Sequence, residues 1–80
     1  MVAAGAVVVC KGSAGPDGSL YGTVRHPLDP RRSPGGSSSG DAVLVAAGAV
    51  AFGVGSDSGG SLRFPAHCTG LATIRPTYGR

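Results

Sequence analysis

SPGGSSSGDAVLVAAGAVAFGVGSDSGGSLR, residues 33–63, is the stretch whose reading decides the rest. Two serine- and glycine-rich loops, PGGSSSG (Pro34 to Gly40) and GSDSGGS (Gly55 to Ser61), bracket one apolar segment. Residues without a Cβ let the backbone bend sharply and bring its N–H groups close to a ligand. The apolar part, Asp41 to Val54, is too long for one buried strand and is broken at Gly48. Ala42 to Ala47 is alanine-rich, with Ser38 or Ser39 as candidate N-cap, Asp41 in the first turn and Gly48 at the position after the last turn, which predicts a short helix. Ala49 to Val54 then reads as a buried strand. This order of loop, helix, strand and loop lets the two serine loops meet above a sheet edge.

Working outward, PGGSSSGDAVLVAAG, GVGSDSGGSLRFPA and IRPTYGR together resemble the signature region of the amidase signature family, whose members use a Ser–cis-Ser–Lys triad. The resemblance extends from Ala3 to Arg80. It is loose from Gly12 to Leu20, and dense and ungapped from Tyr21 onward. The fold it implies is α/β, a fragment of the amidase signature fold with a mixed-sheet core flanked by helices. It places Met1 in mid-domain, so residues 1–80 are expected to be a partial amidase signature domain, with the N-terminal lysine-bearing part and the C-terminal part absent.

The resemblance also implies roles. Ser61 corresponds to the nucleophile and Ser37 to the serine that follows a cis peptide, here Gly36–Ser37, and relays the proton of Ser61 towards a lysine. The backbone N–H groups of Ser58, Gly59, Gly60 and Ser61 correspond to the oxyanion hole. Physical chemistry agrees with that last assignment, because glycines beside Ser61 let successive amides turn inward as a nest of donors around one point. A serine hydroxyl is a weak nucleophile until a base takes its proton. Ser38 corresponds to a serine beside the relay. Asp57 and Arg63 flank the nucleophile and read as mutual structural supports.

The lysine is the gap. The family carries it upstream on a G-[IV]-P-x-x-[IV]-K strand, whereas the one lysine here is Lys11, in AAGAVVVCKG. That segment resembles the family's AAGAVLLGKTN, which follows the catalytic lysine, so Lys11 does not inherit the role. The triad is incomplete within these residues, and the chain alone is expected to be inactive. The implied chemistry is hydrolysis of a small-molecule carboxylic amide to acid plus ammonia or an amine, with no metal or organic cofactor. The remaining parts of a parent amidase are the expected partners. A non-catalytic structural or relic fragment, and part of an amidotransferase, are the alternatives.

Composition sets the bounds. Eighty residues make at most one small domain. The hydrophobic content of 41% is largely alanine and valine, with two Phe, two Tyr and no Trp, so few large side chains are available for a core. Ala6 to Cys10 reads as a buried strand. Met1 to Cys10 lacks a basic start and is too short to span a bilayer, which points to the cytoplasm and to no membrane span. Gly12 to Pro34 is rich in Gly, Pro, Ser and Arg and reads as loop, with YGTVRHPLDPRRSPGG resembling the family's YGPTRNPWDPSRSPGG. Arg25, Arg31 and Arg32 cluster there. A net charge of only +3 without aromatic interleaving favours a solvated loop over a nucleic-acid surface.

His26 and His67 have no second ligand at metal spacing, so no metal site is expected. Cys10 and Cys68 read as free, buried thiols. In the family's P-[AS]-x-F-C-G pattern, Cys68 takes the aromatic position and Thr69 the cysteine one. Phe64 makes GSLRFPA resemble the amide hydrolases more than the variants that act on tRNA-linked glutamate. Leu71 to Arg75 reads as a strand and PTYGR as the turn after it.

Two other motifs compete for the same loops. Gly36-Ser37-Ser38-Ser39-Gly40 fits G-x-S-x-G, with Ser38, Asp57 and His67 in the chain order of α/β-hydrolases, yet an Arg-Pro loop stands where that elbow needs a strand. No phosphate-binding G-x-x-x-x-G-K-[ST] occurs, and after Gly53 and Gly55 the G-x-G-x-x-G pattern fails at Ser58.

Overall fold

Alanine, valine and leucine after a serine pair build the first α-helix, and the computed structural model, which describes residues 1–15, 20 and 22–80, places helix α1 at Ser39–Ala46. Its C-terminal end has two crossing bonds, Ala49 N–H to Leu44 O (2.9 Å) and Gly48 N–H to Val45 O (3.0 Å). They satisfy the last carbonyls only because Gly48 turns left-handed at φ 73°, the role expected of it. The start lies a turn earlier than Ala42. Gly40 N–H donates to Ser13 O (2.8 Å), so a distant segment takes up an amide that would otherwise lack a partner at the helix start.

Helix α2, Arg63–Thr69, is an α-helix the sequence reading did not assign. Pro65 lies in its first turn, where a missing N–H leaves no helical bond unmade. Leu71 N–H to Ala66 O (2.8 Å) and Gly70 N–H to His67 O (3.3 Å) close its far end, with Gly70 at φ 76°. The Thr69 hydroxyl donates to Pro65 O at 2.7 Å. A single turn of 3-10 helix at Val2–Ala4 precedes both helices.

The core is small and lies where α1 and α2 meet the PGGSSSG loop. Pro34, Pro65 and Ser39 are fully buried, and Ala42, Ala66 and Ser38 nearly so. Gly35 lies against α2 so closely that an added Cβ would come within 3.0 Å of Pro65 Cα and 3.2 Å of Cys68 Sγ. A second close approach joins the chain's early part to α1. A Cβ on Gly12 would lie 2.6 Å from both N and Oδ1 of Asp41. Gly15 N–H to Ser37 O (2.7 Å) continues that contact.

The three expected strands need correction. Ala6–Cys10, Ala49–Val54 and Leu71–Arg75 carry no strand, and no β-strand occurs among the described residues. They are not buried either: Val7, Val8, Val9, Phe52, Val54 and Ile74 are all exposed. The reason is the lack of a neighbour, since a strand needs another backbone about 4.8 Å away to take its N–H and C=O groups. Residues 6–10 and 49–54 instead line one apolar cavity of about 520 Å³. Cys10 is exposed and Cys68 half-buried, so the two thiols are free but not both buried.

Arg25, Arg31 and Arg32 lie on the solvated side of the loop that leads to Pro34. Arg31 clamps Asp29 with Nε–Oδ1 3.0 Å and Nη2–Oδ2 3.1 Å, Arg32 stands 3.7 Å from the same carboxylate, and Arg25 donates to Pro30 O at 3.1 Å. His26 ties the loop to α2. Its Nδ1 accepts the Leu28 N–H (3.1 Å), which leaves Nε2–H to donate to Cys68 O (2.9 Å). The expected loop at residues 16–19, and Tyr21, lie outside the described residues. Residues 77–80 form the expected turn, closed by Arg80 N–H to Thr77 O (3.2 Å). No helix among the described residues is long and apolar enough to cross a membrane.

Candidate active site

The two serine loops meet through one backbone bond, Ser38 N–H to Ser61 O at 3.0 Å. The Ser38 side chain reinforces it by donating to Ser56 O at 3.4 Å, and Gly55 has no room for a Cβ beside that hydroxyl. Ser39 Oγ turns the other way and donates to Gly35 O at 2.6 Å, which holds the PGG turn against the start of α1. Between these two buried serines and the turn, the Gly36–Ser37 peptide is cis and Ser37 is exposed. Ser37 and Ser61 therefore occupy neighbouring backbones, Ser37 exposed and Ser61 half-buried at the entrance to α2.

Asp57 organises the second loop. Its side chain is 2% exposed, and its carboxylate accepts the N–H groups of Gly60 (2.8 Å), Leu62 (3.2 Å) and Arg63 (3.1 Å). Arg63 closes on it with both Nε and Nη2 at 2.9 Å. That guanidinium, opposed by desolvation and aided by the backbone N–H donors of Arg63, Gly60 and Leu62, holds the Asp57 carboxyl well below the usual carboxylate range. Arg75 adds a contact to the backbone of the same residue, Nε–H to the Asp57 carbonyl oxygen at 3.1 Å. The sequence reading did not single out Arg75. No local signal marks it, because it lies 18 residues from its partner.

This geometry changes the expected donor nest. The Gly60 N–H is taken by Asp57, so of the four candidate amides it already has an acceptor. The N–H groups of Ser58, Gly59 and Ser61 make no hydrogen bond within the described residues, and these three remain available to an oxyanion. Lys11 is exposed, in the segment that runs into Gly12. The hydrolase elbow is not assembled: Ser38 Oγ is 3.4 Å from Ser56 O, Asp57 is engaged by Arg63, and His67 is exposed on α2. Among the described residues no three His, Cys, Asp or Glu side chains gather as a metal site would need.

Comparison with known proteins adds a finding of a different kind. The family model described as Amidase matches residues 1–80. The chain is 58% identical over 64 residues to the glutamyl-tRNA(Gln) amidotransferase A subunit of Psychrobacter sp. (strain PRwf-1), covering 80% of this chain and 13% of that protein. To the protein of the same name from Koribacter versatilis it is 49% identical over 86 aligned positions, covering 98% of this chain and 18% of that protein. The Chloroflexus aurantiacus counterpart is 48% identical over 88 positions, covering 100% and 18%. The chain thus spans less than a fifth of the length of these relatives. No solved structure matches it. The relatives' shared name runs against the hint drawn from Phe64, a single residue that is 55% exposed.

Proposed function

This chain belongs to the amidase family, and from that premise we propose that it is the nucleophile-bearing region of an enzyme that cleaves a carboxylic amide. The observation that carries the reading is the Ser38 N–H to Ser61 O bond, which brings the relay loop and the nucleophile loop together. In this reading Ser61 Oγ attacks the amide carbonyl carbon while its proton passes through Ser37 to a base. The carbonyl electron pair moves onto oxygen, and the N–H groups of Ser58, Gly59 and Ser61 receive that charge. Collapse of the intermediate breaks the carbon–nitrogen bond, the proton returns to the leaving nitrogen, and ammonia or an amine departs. Water then releases the acid from the acyl-serine.

The base belongs to polypeptide outside these 80 residues, since Lys11 is the one lysine present and its segment corresponds to one that follows the family's catalytic lysine. The same polypeptide supplies the neighbours that turn the segments at 6–10, 49–54 and 71–75 into strands of a mixed sheet. A second reading follows from the relatives' name. The released ammonia is handed on to amidate glutamate carried on tRNA(Gln), and the chain is then part of an amidotransferase.

The test is a chimera in which this chain replaces the matching segment of the Psychrobacter protein. Ser61→Ala should abolish covalent labelling by a fluorophosphonate, and Ser38→Ala should leave part of it. Labelling that survives Ser61→Ala and disappears with Ser38→Ala would favour the hydrolase elbow instead. Absence of labelling in the unmutated chimera would remove the nucleophile reading altogether.

A further inference from the structure

The Asp57 carboxylate is held from four directions, yet none of those contacts fixes the peptide that follows it. The Asp57 carbonyl and the Ser58 N–H belong to one planar unit, and only the Gly36–Ser37 bond is cis among the described residues. In a trans peptide the C=O and N–H point in opposite directions. Holding one therefore aims the other. A coupled rotation about ψ of Asp57 and φ of Ser58 would reverse this plane without disturbing the carboxylate or Arg63. Ser58 itself is exposed.

The contact that does resist it comes from the far end of the chain. Arg75 Nε–H donates to the Asp57 carbonyl oxygen at 3.1 Å. Its Nη1 reaches the Pro76 carbonyl at 3.4 Å, which limits the swing of the guanidinium, and its side chain is 36% exposed. The same guanidinium stands 4.0 Å from Asp57 Oδ1, so it is drawn to that residue by charge as well as by the carbonyl.

We infer that Arg75 is a positioning residue of the nucleophile loop: by holding the Asp57 carbonyl it aims the Ser58 N–H, one of the three uncommitted donors, in the opposite direction along the same peptide plane. This rests on the proposed role of those donors towards an oxyanion. A cationic donor at the carbonyl end also polarises the peptide, which strengthens its N–H as a donor. Arg63 and Arg75 then divide the work around Asp57. Arg63 sets where the carboxylate holds Gly60, Leu62 and Arg63, while Arg75 sets which way the following amide faces.

The experiment is nuclear magnetic resonance on the full 80-residue chain, reading the Asp57 carbonyl ¹³C shift and the Ser58 N–H residual dipolar coupling. In Arg75→Met the carbonyl shift should move upfield as its charged donor is lost, and the Ser58 coupling should change while couplings in α1 keep their wild-type values. Arg75→Lys should restore at least half of both changes, because an ammonium still reaches the carbonyl. Arg25→Met, which removes a comparable arginine-to-carbonyl contact to Pro30, should leave Ser58 unmoved. Unchanged Ser58 coupling in Arg75→Met, or changes in α1 as large as those at Ser58, would overturn the inference. The readout is the direction of one N–H, so it is independent of whether Ser61 reacts. Failure of the chimera to label removes the nucleophile reading and leaves this result standing, and an undisturbed Ser58 removes this inference whatever Ser61 does.

Discussion

Gly40→Ala sets two physical effects of opposite sign against each other. Gly40 lies in the first turn of α1, and in a helix alanine is better than glycine by about 0.8–1.0 kcal/mol. Helix propensity alone therefore expects stabilisation. The tertiary contact expects the reverse. A Cβ on Gly40 overlaps the Ser13 nitrogen, and lies 2.7 Å from Ser13 O and 3.0 Å from Gly12 C. All three are backbone atoms, which cannot rotate aside as a side chain can, so residues 12–15 must move away. That movement breaks Gly40 N–H to Ser13 O (2.8 Å) and Gly15 N–H to Ser37 O (2.7 Å). Overpacking costs about 1–3 kcal/mol, and each lost hydrogen bond about 1 kcal/mol. Set against the gain of about 1 kcal/mol in propensity, the net expectation is a loss of roughly 2–4 kcal/mol. Urea unfolding followed by far-ultraviolet circular dichroism gives the stability, and amide exchange at Gly15 reports the contact itself. Gly59→Ala, which meets nothing within 4 Å, is the control and should stay within about 0.5 kcal/mol. A raised urea midpoint for Gly40→Ala, or a Gly15 amide as protected as in the wild type, would refute the argument.

Two further predictions concern the buried polar groups. Ser39→Ala leaves the Gly35 carbonyl without its 2.6 Å donor in a fully buried position, which should lower stability by about 1–3 kcal/mol in the same urea assay, and a change below about 0.5 kcal/mol would contradict it. For Asp57 the sign follows from its depressed carboxyl: the stabilisation is complete above the unfolded value of about 3.9 and is lost as pH falls through the lower folded value. The wild-type loop should therefore hold its Gly60 N–H bond through the acid range where ordinary carboxylates protonate. Arg63→Met removes the largest cause of the shift, so the Asp57 carboxyl ¹³C titration should move up towards the ordinary range; a titration like that of the wild type would show that the backbone donors alone suffice.

How much was legible in the sequence depends on how far apart the interacting residues lie. The C-terminal end of α1 was readable because Gly48 acts on carbonyls three and four residues before it, and the turn at 77–80 is equally local. Helix α2 had local signals too, Pro65 in the first turn and Gly70 at the end, but it is only seven residues long and too short for a periodic apolar stripe. The residues of the candidate site could be named from the two serine loops and their resemblance to one family. What those loops do with their backbone groups could not. The Gly40 N–H at the early start of α1 finds its acceptor in Ser13, 27 positions away. The commitment of the Gly60 N–H to Asp57 depends on which way a buried carboxylate turns.

Local chemistry in the chain determined where the backbone can bend, where α1 stops, and which serines and glycines are gathered into loops, because each of these depends on dihedral limits and bonds within a few residues. Tertiary structure alone decided that Ser38 meets Ser61, that Gly12 passes against Asp41, and that Arg75 reaches the Asp57 carbonyl. It also decided that the valine-rich segments remain exposed, since a strand is defined by a partner backbone and none lies beside them among the described residues.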